Sequence, residues 1–338
     1  MVLNNAPALG SLLMVGLPGL ILDDSTLALI EQSRIHNFIL FSRNVENLPQ
    51  LKALCASLAL VCDQQGLPAP LISIDQEGGS VARLPPPFTQ FEGARKLASA
   101  PDCRERLRDY ARTCARELLE VGINMNLAPV LDVCVMDQGF FMEPRCLGDD
   151  PAVVADLGSL VIREMQEAGV AACAKHFPGL GPAVLDPHLE LPVVKTTRQS
   201  MEAMDFPPFR EAARIGVASF MTSHAIYQEL DPGVPGTMSA GILSDLLRQE
   251  MGFEGVLITD DLEMGAIEKS GSIEQACLRS FLAGADLLLI CHDHQKIRRS
   301  LQALTKALEL GEIQSEAVVR SLARQAELRQ RFCQPRSK

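Results

Sequence analysis

Two kinds of pattern alternate along the chain: short, continuous apolar runs, and longer stretches in which apolar residues recur every three or four positions. The continuous runs are LLMVGLP (12–18), FILFS (38–42), LISIDQEGG (71–79), INMNLAPVLD (123–132), VAACAKHFPG (170–179), ASFMTSHA (218–225), GVLITDD (255–261) and ADLLLICHD (285–293). Runs of this length fit parallel strands buried on both faces. The periodic stretches between them predict helices, among them DDSTLALIEQSRI, with Asp24 or Ser25 as N-cap, DCRERLRDYARTCARELLEVG, DPAVVADLGSLVIREMQEAG and SAGILSDLLRQEMG. Several end in Gly, as a helix C-terminus favours. Two more helices close the chain after position 294. Eight strand–helix alternations predict an α/β fold, a (β/α)8 TIM-type barrel occupying residues 1–338 as one domain. An open doubly wound sheet competes, but no G-x-G-x-x-G follows the first run.

Composition narrows the classes. The 338 residues are 47% hydrophobic and 22% charged, enough apolar material for a large core and too few charges for a disordered chain. A net charge of −11 and a pI near 5.1 leave no basic stripe to neutralise phosphates, so nucleic acid is not an expected partner. None of the ten cysteines forms a C-x-x-C, and several sit inside apolar runs. That predicts free thiols in a reducing, cytoplasmic setting. The apolar segment GSLLMVGLPGLIL has no Lys or Arg before it and is broken by Gly16, Pro18 and Gly19. It predicts a first buried strand, not a signal peptide or a membrane span.

In such a barrel the chemistry lies at the C-terminal ends of the strands. The polar residues there are Asp75, with Glu77 and Arg83 just beyond, Lys175 and His176, His224, Asp260 and Asp261, then His292, Asp293 and His294. No H-E-x-x-H is present, and Lys175 beside His176 disfavours a cation, so no metal is expected. The acidic TDDLEM segment after the seventh run would repel a phosphate. Carbohydrate chemistry fits better. Glycoside cleavage needs a carboxylate on one face of the sugar and a proton donor on the other. Asp260, at a strand end, is a candidate nucleophile. In Asp186-Pro187-His188 the carboxylate can take the proton of one ring nitrogen and leave the other as acid and base. Competing roles are ordinary ones: Asp260 or Asp261 as a helix N-cap, His188 as a solvated loop residue.

The motifs IDQEGGSVARL, INMNLAPVLDV, PRCLGDDP, KHFPG-x-G followed by D-x-H, FMTSHAIY and GVLITDDLEMGAI occur in that order from about residue 10 to residue 290. As a set they resemble the bacterial β-N-acetylhexosaminidases of glycoside hydrolase family 3. The resemblance implies a single-domain barrel and a retaining enzyme that removes N-acetylglucosamine from cell-wall fragments in peptidoglycan recycling, with no cofactor. It implies Asp260 as the nucleophile, His188 as acid/base with Asp186 as its partner, and Asp75, Arg83, Arg145, Lys175 and His176 as the residues that hold the terminal sugar. Asp75 would accept hydrogen bonds from it while the three cations donate. His224 also matches a family position and reads equally well as a structural histidine; His292 and His294 read as N-cap or solvent residues.

The chain departs from the family pattern at Leu180 and Pro182, where His and often Asp stand, at Pro187 in the D-x-H, at Ser80 in EGGSVAR, and in the EPRCLG segment. None removes a predicted catalytic group. Three other readings stay open: a glycoside phosphorylase, because a neutral base does not repel phosphate, a β-glucosidase, and a sugar-binding barrel without turnover.

Overall fold

The computed structural model describes residues 9–135, 141–180, 191–268 and 271–333. Eight parallel strands form its centre: β1 (Leu13–Gly16), β2 (Asn37–Leu40), β3 (Leu71–Ile74), β4 (Met125–Asn126), β5 (Ala171–Phe177), β6 (Ser219–Thr222), β7 (Val256–Ile258) and β8 (Leu288–Ile290). Each coincides with one of the eight apolar runs, β2 starting one residue ahead of its run at Asn37. Neighbours pair in the order β8-β1-β2-β3-β4-β5-β6-β7, and a parallel bridge from Ile258 to Leu287 joins the two ends into a ring. Helices cover the outside, including the two that close the chain, His294–Glu309 and Ser315–Phe332.

The period of two along each strand divides the core. Leu13, Val15, Phe38, Leu40, Ile72 and Ile74 face the helices in one large cluster. Met14, Ile39, Leu71, Met125, Ala171, Cys173, Met221, Val256, Ile258 and Leu289 fill the barrel interior in another. Strands packed this way need apolar residues on both faces, which is why the sequence shows continuous runs instead of alternation.

Local sequence sets the element ends. The first helix (Asp24–Ser33) is capped by Asp23, whose side chain accepts from the Thr26 N–H at 2.8 Å and the Thr26 hydroxyl at 2.6 Å. The expected cap at Asp24 or Ser25 is therefore displaced by one or two residues, since Asp23 already supplies the oxygen that the first turn needs. The stretch SAGILSDLLRQEMG is helical over Gly241–Glu250, wound as a π-helix. A small parallel pair outside the barrel, Val193–Val194 with Ile226–Tyr227, has no counterpart among the predicted elements. All ten cysteines are free thiols, eight of them buried. Among the described residues, no helix is long and apolar enough to cross a membrane.

Candidate active site

The strand parity that fills the interior also aims the polar residues. Asp75 is in phase with Leu71 and Ser73, Lys175 with Ala171 and Cys173, Asp260 with Val256 and Ile258, and Phe41 with Ile39. Each of these residues follows the lumen-facing side of its strand out of the C-terminal end. They meet in a cleft of about 210 Å³ lined by Phe41, Asp75, Arg83, Arg145, Lys175, His176, Asp260, Asp261, Met264 and His292, among others. His176 is out of phase with Lys175. The register of β5 against β6 shifts between Ala174 and Phe177, and within that irregularity both neighbours reach the cleft.

Five of the charged groups form one network. Lys175 Nζ donates to Asp75 Oδ1 at 2.8 Å and lies 2.6 Å from Glu77 Oε1. Arg145, at the end of the short turn Glu143–Arg145, grips Glu77 in a fork, Nε to Oε2 at 2.9 Å and an Nη to Oε1 at 2.7 Å. Arg83 reaches Asp75 more loosely, at 3.4 Å. Burial works to raise the Glu77 carboxyl, but Lys175 and Arg145 outweigh it and hold it at about 2. Burial likewise opposes the charge on Lys175, yet Asp75 and Glu77 raise its pKa. Three cations against two carboxylates leave one positive charge beside Asp260.

Asp260 has no ion-pair partner within 4.0 Å among the described residues. One of its oxygens accepts the Asp261 N–H at 2.8 Å, the other has no hydrogen-bond partner among the described residues, and Asp260 lines the cleft. Burial pushes its pKa up, but His224, His176, the Asp261 N–H and Lys175 together pull it below the ordinary carboxylate value. The neighbouring Asp261 is pushed the other way, to about 7, first by burial and then by the charges of Glu263 and Asp260. Two adjacent carboxyls are thus shifted in opposite directions, Asp260 toward the ionised and Asp261 toward the protonated form. Asp261 also caps a turn through the Glu263 N–H at 3.1 Å, so the capping role belongs to Asp261 and not to Asp260.

Asp75, Arg83, Arg145, Lys175, His176 and Asp260, all candidates from the sequence, line one cleft. Asp186, His188, Pro182 and Pro187 lie outside the described residues. Leu180 is buried, its backbone N–H donating to Asp132 at 2.5 Å. His224 is buried, and its Nε2 donates to the Asp261 carbonyl at 2.9 Å, a structural bond directly behind the nucleophile candidate. His294 stands in the first turn of its helix, 2.9 Å from the Ser25 hydroxyl, and the cap of that helix is Asp293. His292 is exposed to solvent, as one of the two expected roles had it, and lies at the edge of the cleft, 5.6 Å ring to ring from Phe41 and 3.1 Å from the Arg43 guanidinium. Sequence reasoning passed over Glu77 as a partner of Arg145 and Lys175, and Asp132 as a partner of His176. The available signal was the same for both: a carboxylate at or just past a strand end, two residues from Asp75 in one case and closing the fourth run in the other. Among the described residues, no group of three or more His, Cys, Asp or Glu side chains is placed to hold a metal ion.

The profile of the glycosyl hydrolase family 3 N terminal domain matches residues 8–328. The Beta-hexosaminidase of Alkalilimnicola ehrlichii is 35% identical over 302 residues, covering 86% of this chain and 84% of that protein. That of Pseudomonas aeruginosa is 31% identical over 294 residues, with 87% and 86% covered. Among solved structures, a glycoside hydrolase family 3 β-N-acetylglucosaminidase from a Paenibacillus species superposes with a TM-score of 0.94 at 36% identity. It covers all of this chain, which spans 64% of that longer one. The β-N-acetylhexosaminidase of Beutenbergia cavernae gives 0.87 at 28% identity, with 95% and 97% covered. The chain belongs to glycoside hydrolase family 3, through the barrel domain of that family.

Proposed function

We propose that the chain is a retaining exo-β-N-acetylglucosaminidase whose barrel is one catalytic domain, with Asp260 as nucleophile and His188, paired with Asp186, as acid/base. The observation that carries this reading is Asp260 itself. It is held in its ionised form, has one oxygen without a hydrogen-bond partner among the described residues, and lines a cleft that also carries several charged hydrogen-bonding side chains. Asp260 attacks the anomeric carbon while His188 protonates the departing oxygen; His188 then takes a proton from water, which releases the sugar with configuration retained. Asp75, Arg83, Arg145, Lys175 and His176 hold the non-reducing terminal sugar. A cleft of about 210 Å³ is smaller than the roughly 300–1,000 Å³ that encloses a drug-sized ligand, which favours one terminal sugar over a chain. The names of the relatives point to N-acetylglucosamine as that sugar. Peptidoglycan fragments are the proposed natural substrate, the cytoplasm the proposed location, and no cofactor is required.

Release of nitrophenol from the β-N-acetylglucosaminide and the β-glucoside, each with and without phosphate, tests the reading. Cleavage of the N-acetyl sugar alone, indifferent to phosphate, is expected. Preference for the glucoside, strong acceleration by phosphate with release of sugar 1-phosphate, or no cleavage of either would overturn it.

A further inference from the structure

Asp132 closes the fourth apolar run and is fully buried. It follows an extension of β4 in which Val130 bridges to Lys175 and the Leu131 N–H donates to the Lys175 carbonyl at 2.7 Å. That pairing sets its carboxylate against the end of β5, where three donors converge on it. The His176 backbone N–H reaches Oδ2 at 3.2 Å, His176 Nδ1 reaches the same oxygen at 2.8 Å, and the Leu180 N–H reaches Oδ1 at 2.5 Å. A carboxylate offers only lone pairs, so the proton in the ring bond is on Nδ1. In a neutral imidazole the other nitrogen, Nε2, is then an acceptor.

The cleft needs such a group. Arg83, Arg145 and Lys175 are donors only. Asp75 accepts as well, but each of its oxygens already shares a donor, Lys175 on one and Arg83 on the other, so a further acceptor serves the sugar's hydroxyls. The hydroxyls of a sugar require acceptors as well as donors, and His176 lines the same cleft. We propose that Asp132 is a positioning residue that fixes His176 as its Nδ1–H tautomer, so that Nε2 accepts a hydrogen bond from a sugar hydroxyl. Its second oxygen meanwhile anchors the backbone at Leu180. The charged groups around the ring are Asp132 itself, the adjacent Lys175 and, across the cleft, Asp260. Asp205 stands behind Asp132. The identity of the ligand rests on the glycosidase reading, whereas the tautomer is a property of the free protein.

Long-range proton–nitrogen spectra of the full chain, labelled with ¹⁵N at its six histidines, read the tautomer directly at pH 7.5. The His176 signals are identified by their loss in His176→Gln. A neutral ring protonated on Nδ1 is expected; a ring protonated on Nε2, or on both nitrogens, would overturn the proposal. In Asp132→Asn the amide oxygen still takes the Leu180 N–H, while the amide NH2 faces Nδ1. His176 is expected to switch to the Nε2–H form, and kcat/KM on the nitrophenyl N-acetylglucosaminide to fall about 10- to 100-fold. An unchanged tautomer or unchanged kinetics in that variant would contradict the proposal. Should the variant fail to fold, the wild-type spectrum decides alone. A protein that shows the expected tautomer but cleaves no N-acetylglucosaminide refutes the hydrolase reading and leaves the role of Asp132 standing.

Discussion

The two ends of the barrel both bury carboxylates among arginines, and they do so differently. At the base, Asp286 precedes β8 and has no exposed surface. Arg248 approaches one of its oxygens at 2.6 Å, Arg324 the other at 2.7 Å, and the Leu257 N–H completes the set at 2.9 Å. The cluster ties β7 and β8 to the last helix and leaves little bonding capacity unused. At the mouth, Arg83 holds Asp75 only at 3.4 Å, its Nε has no partner among the described residues, and Asp260 has a single backbone donor. A saturated buried cluster serves stability. An unsaturated one keeps its donors and acceptors for a ligand and costs stability while it waits.

This contrast breaks first at Asp260. Asp260→Ala should lose at least about a thousandfold in kcat. Its melting temperature should stay level or fall slightly, because a carboxylate whose pKa is held below the ordinary value, beside the positive excess of the network, is removed. Normal turnover in that variant would refute the assignment. Glu77→Gln touches the part of the mouth that most resembles the base. It leaves Lys175 and Arg145 short of a counterion, so stability should drop by about 2–4 kcal/mol and kcat/KM by about 10- to 100-fold, as read by denaturant titration and initial rates. A loss of stability with unchanged kinetics would reassign Glu77 to a purely structural role. Asp286→Asn should also cost about 2–4 kcal/mol, but the folded fraction should keep kcat/KM within about twofold.

The smallest expected effect concerns Asp205, buried beneath Gly179. Burial and then the charge of Asp132 raise its pKa to about 7 in the folded chain, against an ordinary value of 3.8. The folded state therefore binds the extra proton, and stability falls as pH rises from about 4 to 7 and levels off above. Asp205→Asn should remove that part of the decline and gain about 1–3 kcal/mol at pH 8, with little change at pH 4. Some decline should persist from Asp261, which is shifted in the same direction. Melting curves across that range check the sign.

The barrel was legible because strands buried on both faces leave continuous apolar runs, and each of the eight runs overlaps a strand. What escaped was short or set by tertiary contact. The pair at 193–194 and 226–227 is two residues long on each side, too brief for any period. The cap at Asp23 lay one or two residues from the expected Asp24 or Ser25, where sequence offers three adjacent polar candidates. At the mouth, the strand-end rule and the motif order singled out Asp75, Arg83, Arg145, Lys175, His176 and Asp260. Strand parity explains the convergence of Asp75, Lys175 and Asp260, and a register shift explains His176. Glu77, Asp132 and His292 could not be assigned partners from sequence, because the side chains they meet lie far along the chain, from Asp261 beside His292 to Arg43.

The central claim is that Asp260 is the nucleophile of a retaining enzyme. The most direct test is to incubate the protein with a 5-fluoro-N-acetylglucosaminyl fluoride, which slows release of a glycosyl-enzyme, and to map the mass increase by peptide sequencing. The account predicts one added sugar on Asp260. A label on Asp261 or elsewhere, or steady turnover of the nitrophenyl substrate with inverted configuration and no label, would contradict it.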